Sequence, residues 1–356
     1  MDIFGEFVSN TLASHGNQTY FINKEKDTLT GYVFSSVFKG GTYEYIFAYS
    51  GLIDSTFGDG SKSACNDSCA GWKIESLQAT VTDHAVVPDN TEYCTVSFNG
   101  ETGFSVPAGL IFSDPLPLTA EKGQYICLKI RFSGNKIPYH EESIMPVFSE
   151  ENGSVISAKK VPLPVFTGIK RKAGKRIAFI GDSITQGCGT PVNGYKYYSA
   201  FAADILGDNN SYWNLGLGYA RASDASTDGI WLYRAKQNDI VTVCFGVNDI
   251  LQGHDVNTIK SDLEKTVRSL KTAGVTVILQ TVPPFDYDKD NELKWRKVNS
   301  FIKNELSETA DEIFDTVPIL SADGKDSPAS RFGSHPDENG HRLWAEKLAP
   351  VIAKYL

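Results

Sequence analysis

Arg176-Ile177-Ala178-Phe179-Ile180-Gly181-Asp182-Ser183-Ile184-Thr185-Gln186-Gly187 is the stretch that decides the fold. Arg176–Ile180 is a short apolar run of strand type. A serine follows where that strand ends and a helix should start, so its hydroxyl can point out of the sheet's edge. The backbone N–H of Ser183 then joins the free amides of a helix N-terminus, which favour negative charge. Gly181 relieves crowding in the tight turn. The motif is not G-x-S-x-G, so the α/β-hydrolase elbow is absent. A lone G-D-S also suits a helix N-cap, and the stretch needs its surroundings to mean more.

Downstream, the pattern is strand, loop, helix. Further apolar runs lie at Trp213–Leu215, Ile240–Phe245, Val275–Leu279 and Ile313–Phe314. Helical stretches are expected at about Tyr195–Leu206, Ile230–Lys236, Val256–Ala273, Glu292–Thr309 and Asn339–Tyr355; in the last, Trp344, Leu348, Val351, Ile352 and Tyr355 share a face. Continuous apolar strands between helices imply a parallel sheet covered on both faces. Residues 175–356 are therefore expected to form a three-layer α/β/α domain on a five-stranded parallel sheet. Such sheets bind ligands at the carboxyl ends of their strands.

Upstream, short β-prone runs such as Tyr43–Tyr49, Trp72–Val81, Tyr93–Phe98 and Tyr125–Phe132 alternate with turns such as Phe57-Gly58-Asp59-Gly60. Residues 1–165 are expected to form an all-β sandwich of jelly-roll type. The run VPLPVFTGIKRKAGK at 161–175 reads as a linker.

Composition narrows the partners. The 356 residues carry 34 Lys+Arg against 43 Asp+Glu, a formal net charge of -9. A nucleic-acid backbone or an anionic membrane surface calls for the opposite excess, so neither is an expected partner. No run of about 18 apolar residues is long enough to span a bilayer. The first residues, MDIFGEFVSNTLASHG, lack the features of a secretory signal, and a cytoplasmic location is expected. Six cysteines include the pair Cys65 and Cys69 in C-N-D-S-C; a zinc site needs a second pair at ribbon spacing, and none follows. Reduced thiols, no metal and no cofactor are expected.

Three more blocks follow the serine in order. Asn214-Leu215-Gly216-Leu217-Gly218 ends the second strand, Gly246-Val247-Asn248-Asp249 ends the third, and Ser334-His335-Pro336 precedes the last helix. All four can converge on one rim. Together they resemble the SGNH-hydrolase (GDSL esterase/lipase) superfamily, whose blocks centre on Ser, Gly, Asn and His. The resemblance covers about half the chain and implies a flavodoxin-like domain. It implies Ser183 as nucleophile and His335 as general base, with an oxyanion hole made by the N–H of Ser183, the side chain of Asn248 and a second-block amide. Losing one such donor typically costs about 3–4 kcal/mol of transition-state stabilisation.

Two places depart from the family pattern. The second-block amide is expected at Gly218, with Gly216 and Tyr219 as alternatives. The supporting acid of D-x-x-H is replaced by Phe332. A backbone carbonyl near Phe332 could orient the imidazole instead, giving a Ser-His dyad, and Asp326 or Asp337 could fold in. Asp182 and Asp249 are expected to brace their loops, with Val247 and Ile250 packed beneath the third block. Tyr195 and Tyr219 are the aromatic candidates for a substrate pocket. His254 could line that pocket, whereas His341 is expected to face solvent or the strand ends. His15, His84 and His140 read as surface residues.

A β-sandwich ahead of an SGNH domain is similar to carbohydrate esterase family 2. That likeness implies removal of O-acetyl groups from xylan- or mannan-derived oligosaccharides, with the sandwich binding sugar or forming part of a cleft. The alternatives are a GDSL-type lipase, arylesterase or thioesterase, and an inactive carbohydrate-binding protein.

Overall fold

The computed structural model describes residues 3–14, 19–56, 63–69, 71–89, 91–140 and 143–356, with backbone only at 54–56 and 63–67. The turn at Phe57–Gly60, His15 and the side chain of Cys65 lie outside the described residues. The chain divides into two compact units that part between Ala173 and Gly174.

The first unit holds two main sheets whose described strand pairs are antiparallel. One runs in the order Phe7–Ser9, Phe166–Lys170, Gly41–Ser50, Leu110–Phe112, with Leu116–Ala120 also paired to Gly41–Ser50. The other runs Ser154–Ser157, Val147–Glu151, Leu29–Ser36, Tyr125–Ser133, Lys73–Thr82, Cys94–Val96. Apolar alternation supplies the buried face: Ile126, Leu128, Ile130 and Phe132 of one strand are all buried. The expected linker is corrected here. Phe166–Lys170 is an internal strand, paired on both sides, so the first unit runs on to Ala173. The two prolines of 161–175 precede that strand and do not enter it, as a strand paired on both sides requires. His140 is also corrected, from the surface to full burial.

The second unit is built on five parallel strands: β1 (Arg176–Gly181), β2 (Ser211–Gly216), β3 (Ile240–Cys244), β4 (Thr276–Gln280) and β5 (Glu312–Phe314). Their order is β2-β1-β3-β4-β5, parallel throughout. The order reverses beside β1, because the chain leaves β1 for β2 on one side and returns to β3 on the other. In open parallel sheets the carboxyl ends beside such a reversal are where ligands bind. The helices are α1 (Ser183–Gln186), α2 (Tyr198–Leu206), α3 (Ala222–Ser226), α4 (Ile230–Ala235), α5 (Val247–Leu251), α6 (Val256–Thr272), α7 (Lys289–Asn304), α8 (Val317–Leu320) and α9 (Glu338–Ala353).

The expected helix start at Ser183 is there as α1, whereas the sequence reading missed α3, α5 and α8, because about one turn is too brief to show a period. It also misplaced some ends. Tyr195 sits in the left-handed region at φ 50 and the N-cap Tyr197 is extended at φ -117, ψ 160, so α2 starts only at Tyr198. Asp288 caps α7 by accepting from the Asn291 N–H at 2.8 Å, so that helix begins well before Glu292. On α6, Ile259, Leu263, Val267 and Leu270 form the buried face. Tyr198 of α2 stacks on Trp344 of α9 with centroids 4.2 Å apart, which joins the first and last long helices of the unit.

Helix α1 lies against β2 with no space between them. A Cβ on Gly216 would overlap the backbone nitrogen of Gln186 and come within 2.6 Å of Gln186 Cα. Gly216→Ala is therefore expected to lower stability by about 1–3 kcal/mol, the usual cost of overpacking, read as a shift in the urea midpoint. An unchanged midpoint would show that α1 is not seated as described.

Candidate active site

The serine block is a single helical turn closed at both ends. Asp182 is its N-cap and accepts from the Ile184 N–H at 3.0 Å. Gly187 ends it at φ 110, with the Gly187 and Cys188 N–H groups both donating to the Ser183 carbonyl. Ser183 thus occupies the first helical position, where its own N–H has no intrahelical acceptor. At Gly181 a Cβ would lie 2.7 Å from the Cys244 carbonyl, so only glycine lets β1 turn out of the sheet there.

His335 arrives from the irregular segment ahead of α9. Its Nε2 lies 2.8 Å from Ser183 Oγ. Gly189, at φ 92, lets the loop after α1 pass against it, since a Cβ there would stand 2.9 Å from His335 Cβ. The Phe285 ring meets the imidazole edge-on, with centroids 5.4 Å apart. His335 keeps a solvent-exposed edge, yet packing around it desolvates the imidazolium and holds its pKa below 6.5.

The expected support for the outer imidazole nitrogen is not found. The Phe332 carbonyl accepts from the Asp337 N–H at 3.0 Å. Among the described residues His335 Nδ1 has no hydrogen-bond partner. The Phe332 ring lies under the Arg331 guanidinium, 5.0 Å away. Asp326 pairs instead with Arg296 at 3.4 Å, and Asp337 caps α9 by accepting from the Gly340 N–H at 2.9 Å. Neither carboxylate replaces the missing acid.

The second and third blocks are tied to each other. Leu217–Ala220 is a turn in which the Ala220 N–H donates to the Leu217 carbonyl at 3.2 Å. Gly218 is buried in it, and Tyr219 stands at φ 60 with its side chain partly exposed. Asn248, in the first turn of α5, donates through Nδ2 to the Ala220 carbonyl at 3.0 Å. An amide carries two N–H donors, and the second has no acceptor among the described residues. The Gly216 N–H donates to Asn214 Oδ1 at 2.9 Å, which commits it locally. Tyr195 lies 6.3 Å from the Tyr197 ring, centroid to centroid.

Charged groups lie beneath these loops. Asp249 is fully buried and accepts from the Ala222 N–H at 3.0 Å; Val247 and Ile250 are buried beside it. His254 Nδ1 faces Asp249 Oδ1 at 3.6 Å, and that neighbour raises its pKa. Burial pushes the Asp182 carboxyl up to about 7, against the Ile184 N–H, which lowers it. The reading of His341 is corrected. It is fully buried against Tyr198 and Trp344, accepts from the Tyr198 N–H through Nδ1, and is pushed down to about 3 by desolvation.

Residues 179–343 match the family model for the GDSL-like Lipase/Acylhydrolase family. This half of the chain is a GDSL-like acylhydrolase domain. Its family is one of carboxylic ester hydrolases. Comparison with curated proteins returns no match. Solved structures similar to the domain include a member of the lipolytic protein G-D-S-L family from Veillonella parvula DSM 2008, at 23% identity over 50% of this chain and 98% of that one, TM-score 0.42. An aryl esterase from M. smegmatis, in inhibitor-bound form, is 18% identical over 51% of this chain and 100% of that one, TM-score 0.41. A carbohydrate acetylesterase from Sinorhizobium meliloti shows the same figures, 18%, 51%, 100% and 0.41.

One feature of the GDSL-like domain escaped the sequence reading. Pro283-Pro284-Phe285-Asp286 follows β4 and touches the His335 segment through Phe285 and through Asp286, which binds Ser334. The available signal was its place at the carboxyl end of a strand.

Asp182 gives the domain a testable pH dependence. Its folded pKa lies above the unfolded value of about 3.9, so the folded state binds the extra proton. Its contribution is therefore present at pH 4, is lost as pH rises toward 7 and is flat above. Asp182→Asn, which keeps an acceptor for the Ile184 N–H, should gain on wild type by a few kcal/mol between pH 4 and 8 in paired denaturation curves. A gap that stays constant with pH would refute the buried-acid assignment.

Proposed function

We propose that the protein is a serine esterase that removes O-acetyl groups from acetylated oligosaccharides derived from xylan or mannan. The observation that carries the chemistry is the 2.8 Å contact between Ser183 Oγ and His335 Nε2. Nε2 must be the unprotonated nitrogen to act, which puts the ring proton on Nδ1. Ser183 Oγ attacks the acetyl carbonyl carbon while its proton passes to Nε2. The carbonyl oxygen, now negative, takes hydrogen bonds from the Ser183 N–H, the Gly218 N–H and the second N–H of Asn248. The intermediate collapses, the sugar oxygen leaves with the proton from Nε2, and acetyl-Ser183 remains. Water then gives its proton to Nε2 and attacks the acetyl carbon; Ser183 recovers the proton and acetate leaves.

This is a dyad mechanism. Imidazolium forms with no carboxylate at Nδ1 among the described residues, so His335 is a weaker base than in a triad. The carbohydrate reading rests on architecture: we take the first unit to be a β-sandwich, and an all-β unit ahead of a GDSL-like domain is the order that resembles carbohydrate esterase family 2. Tyr219 supports it locally, since an exposed aromatic ring beside the proposed oxyanion donors suits a sugar face.

Nitrophenyl esters from acetyl to octanoyl, assayed beside acetate release from acetylated xylo- and manno-oligosaccharides, test the substrate class. Acetyl preference with release from the sugars is expected; preference for long chains would point to a lipase or thioesterase. Ser183→Ala should cost at least about 10³-fold in kcat with the fold intact. Asp326→Ala and Asp337→Ala should each stay within about tenfold, or 1.4 kcal/mol; the latter should also lose about 1 kcal/mol of stability with its helix cap. The rising limb of kcat/KM should have its midpoint below 6.5, because the base works deprotonated and desolvation by the packing around its inner side lowers its pKa. A midpoint above 7 would reveal a carboxylate partner.

A further inference from the structure

The His335 segment is held by a carboxylate that does not touch the imidazole. Asp286 Oδ2 accepts from the Ser334 hydroxyl at 2.6 Å, and Oδ1 accepts from the Ser330 N–H at 2.8 Å. Ser330 Oγ donates back to the Pro284 carbonyl at 3.0 Å. Three bonds thus fasten the loop after β4 to the segment that carries His335. The Phe285 edge against the imidazole belongs to the same contact. Asp286 holds a left-handed backbone, φ 53, which favours glycine. Aspartate tolerates that region better than most side chains, and the bonds to Ser330 and Ser334 hold it there.

The need for this clamp follows from the imidazole itself. Among the described residues its one hydrogen bond is to Ser183 Oγ, so no group on the Nδ1 side sets the ring's tilt. Orientation must come from the backbone at 334–335 and from the aromatic edge. We propose that Asp286 is a positioning residue that acts through Ser334 to bring His335 Nε2 into line with Ser183 Oγ. This rests on the serine-esterase reading above.

Three substitutions test it with acetyl nitrophenyl ester as substrate. Asp286→Gly removes both bonds and relieves the backbone, so melting should stay within a few degrees of wild type while kcat falls about tenfold or more and KM holds within about twofold. Asp286→Asn keeps an acceptor for the Ser330 N–H and can turn its amide toward Ser334 Oγ, so it should recover most of the rate. The pH midpoint of kcat/KM should be the same in the Asn variant and wild type, because the clamp works by geometry and not by charge. If Asp286→Gly keeps kcat within twofold, or if the Asn variant is as slow as the Gly variant with a lowered midpoint, the proposal is overturned. Should Asp286→Gly melt far lower, Ser334→Ala removes the Oδ2 bond alone: a fall in kcat with KM unchanged supports the clamp, and an unchanged kcat overturns it. Failure of the esterase reading looks different, as wild type without ester hydrolysis or a Ser183→Ala variant as fast as wild type.

Discussion

One hydrogen bond organises the second unit: the 2.8 Å contact between Ser183 and His335, which are 152 residues apart. Neither residue meets the other through local structure. Ser183 is aimed by the end of β1 and the single turn of α1. His335 is delivered by the segment that precedes α9. Here the parallel sheet closes that distance, because β1 and the fold around it bring both segments to its carboxyl edge. Gly181 and Gly189 serve the contact directly, each where a Cβ would strike backbone or the histidine itself.

Beneath the contact lies a polar layer that is buried and largely satisfied. Thr185 Oγ1 meets Tyr198 OH at 2.9 Å, Gln280 Nε2 donates to the same hydroxyl at 3.4 Å, and Trp344 Nε1 donates to Gln280 Oε1 at 2.8 Å. Asn214 Nδ2 donates to the Thr185 carbonyl at 3.0 Å. The network ties α1 to β2, β4, α2 and α9. Hydrogen bonds in such low-dielectric surroundings are strong when paired and costly when broken, which makes a shaped seat for a nucleophile. Asp182 and Asp249 extend the same logic to the loops: each spends a buried carboxylate on backbone N–H groups.

Much of the second unit was legible in advance. Apolar runs located all five strands, since a strand buried on both faces leaves an unbroken signal. The residues of the serine, glycine, asparagine and histidine blocks stood in order at strand ends, where turn chemistry is local. What escaped had a different physical origin. One-turn helices have no period to detect. Phe166–Lys170 resembled a linker because its neighbours are prolines and lysines, while its strand character comes from pairing with Val8, Ser9 and Ile46 far away in sequence. Histidines carry no mark of burial, so His140 and His341 were misjudged.

The amino-acid sequence alone determined the α/β class, the order of the functional blocks and the absence of a carboxylate at Phe332. These depend on residue type and short spacing. Tertiary structure decided what replaces that carboxylate, and among the described residues no group sits on Nδ1 itself. It also decided that Asp286, 49 residues before the histidine, clamps the neighbouring Ser334. A long-range hydrogen bond needs two segments to meet at about 3 Å, and that meeting is set by the packing of the whole sheet, which no local pattern encodes.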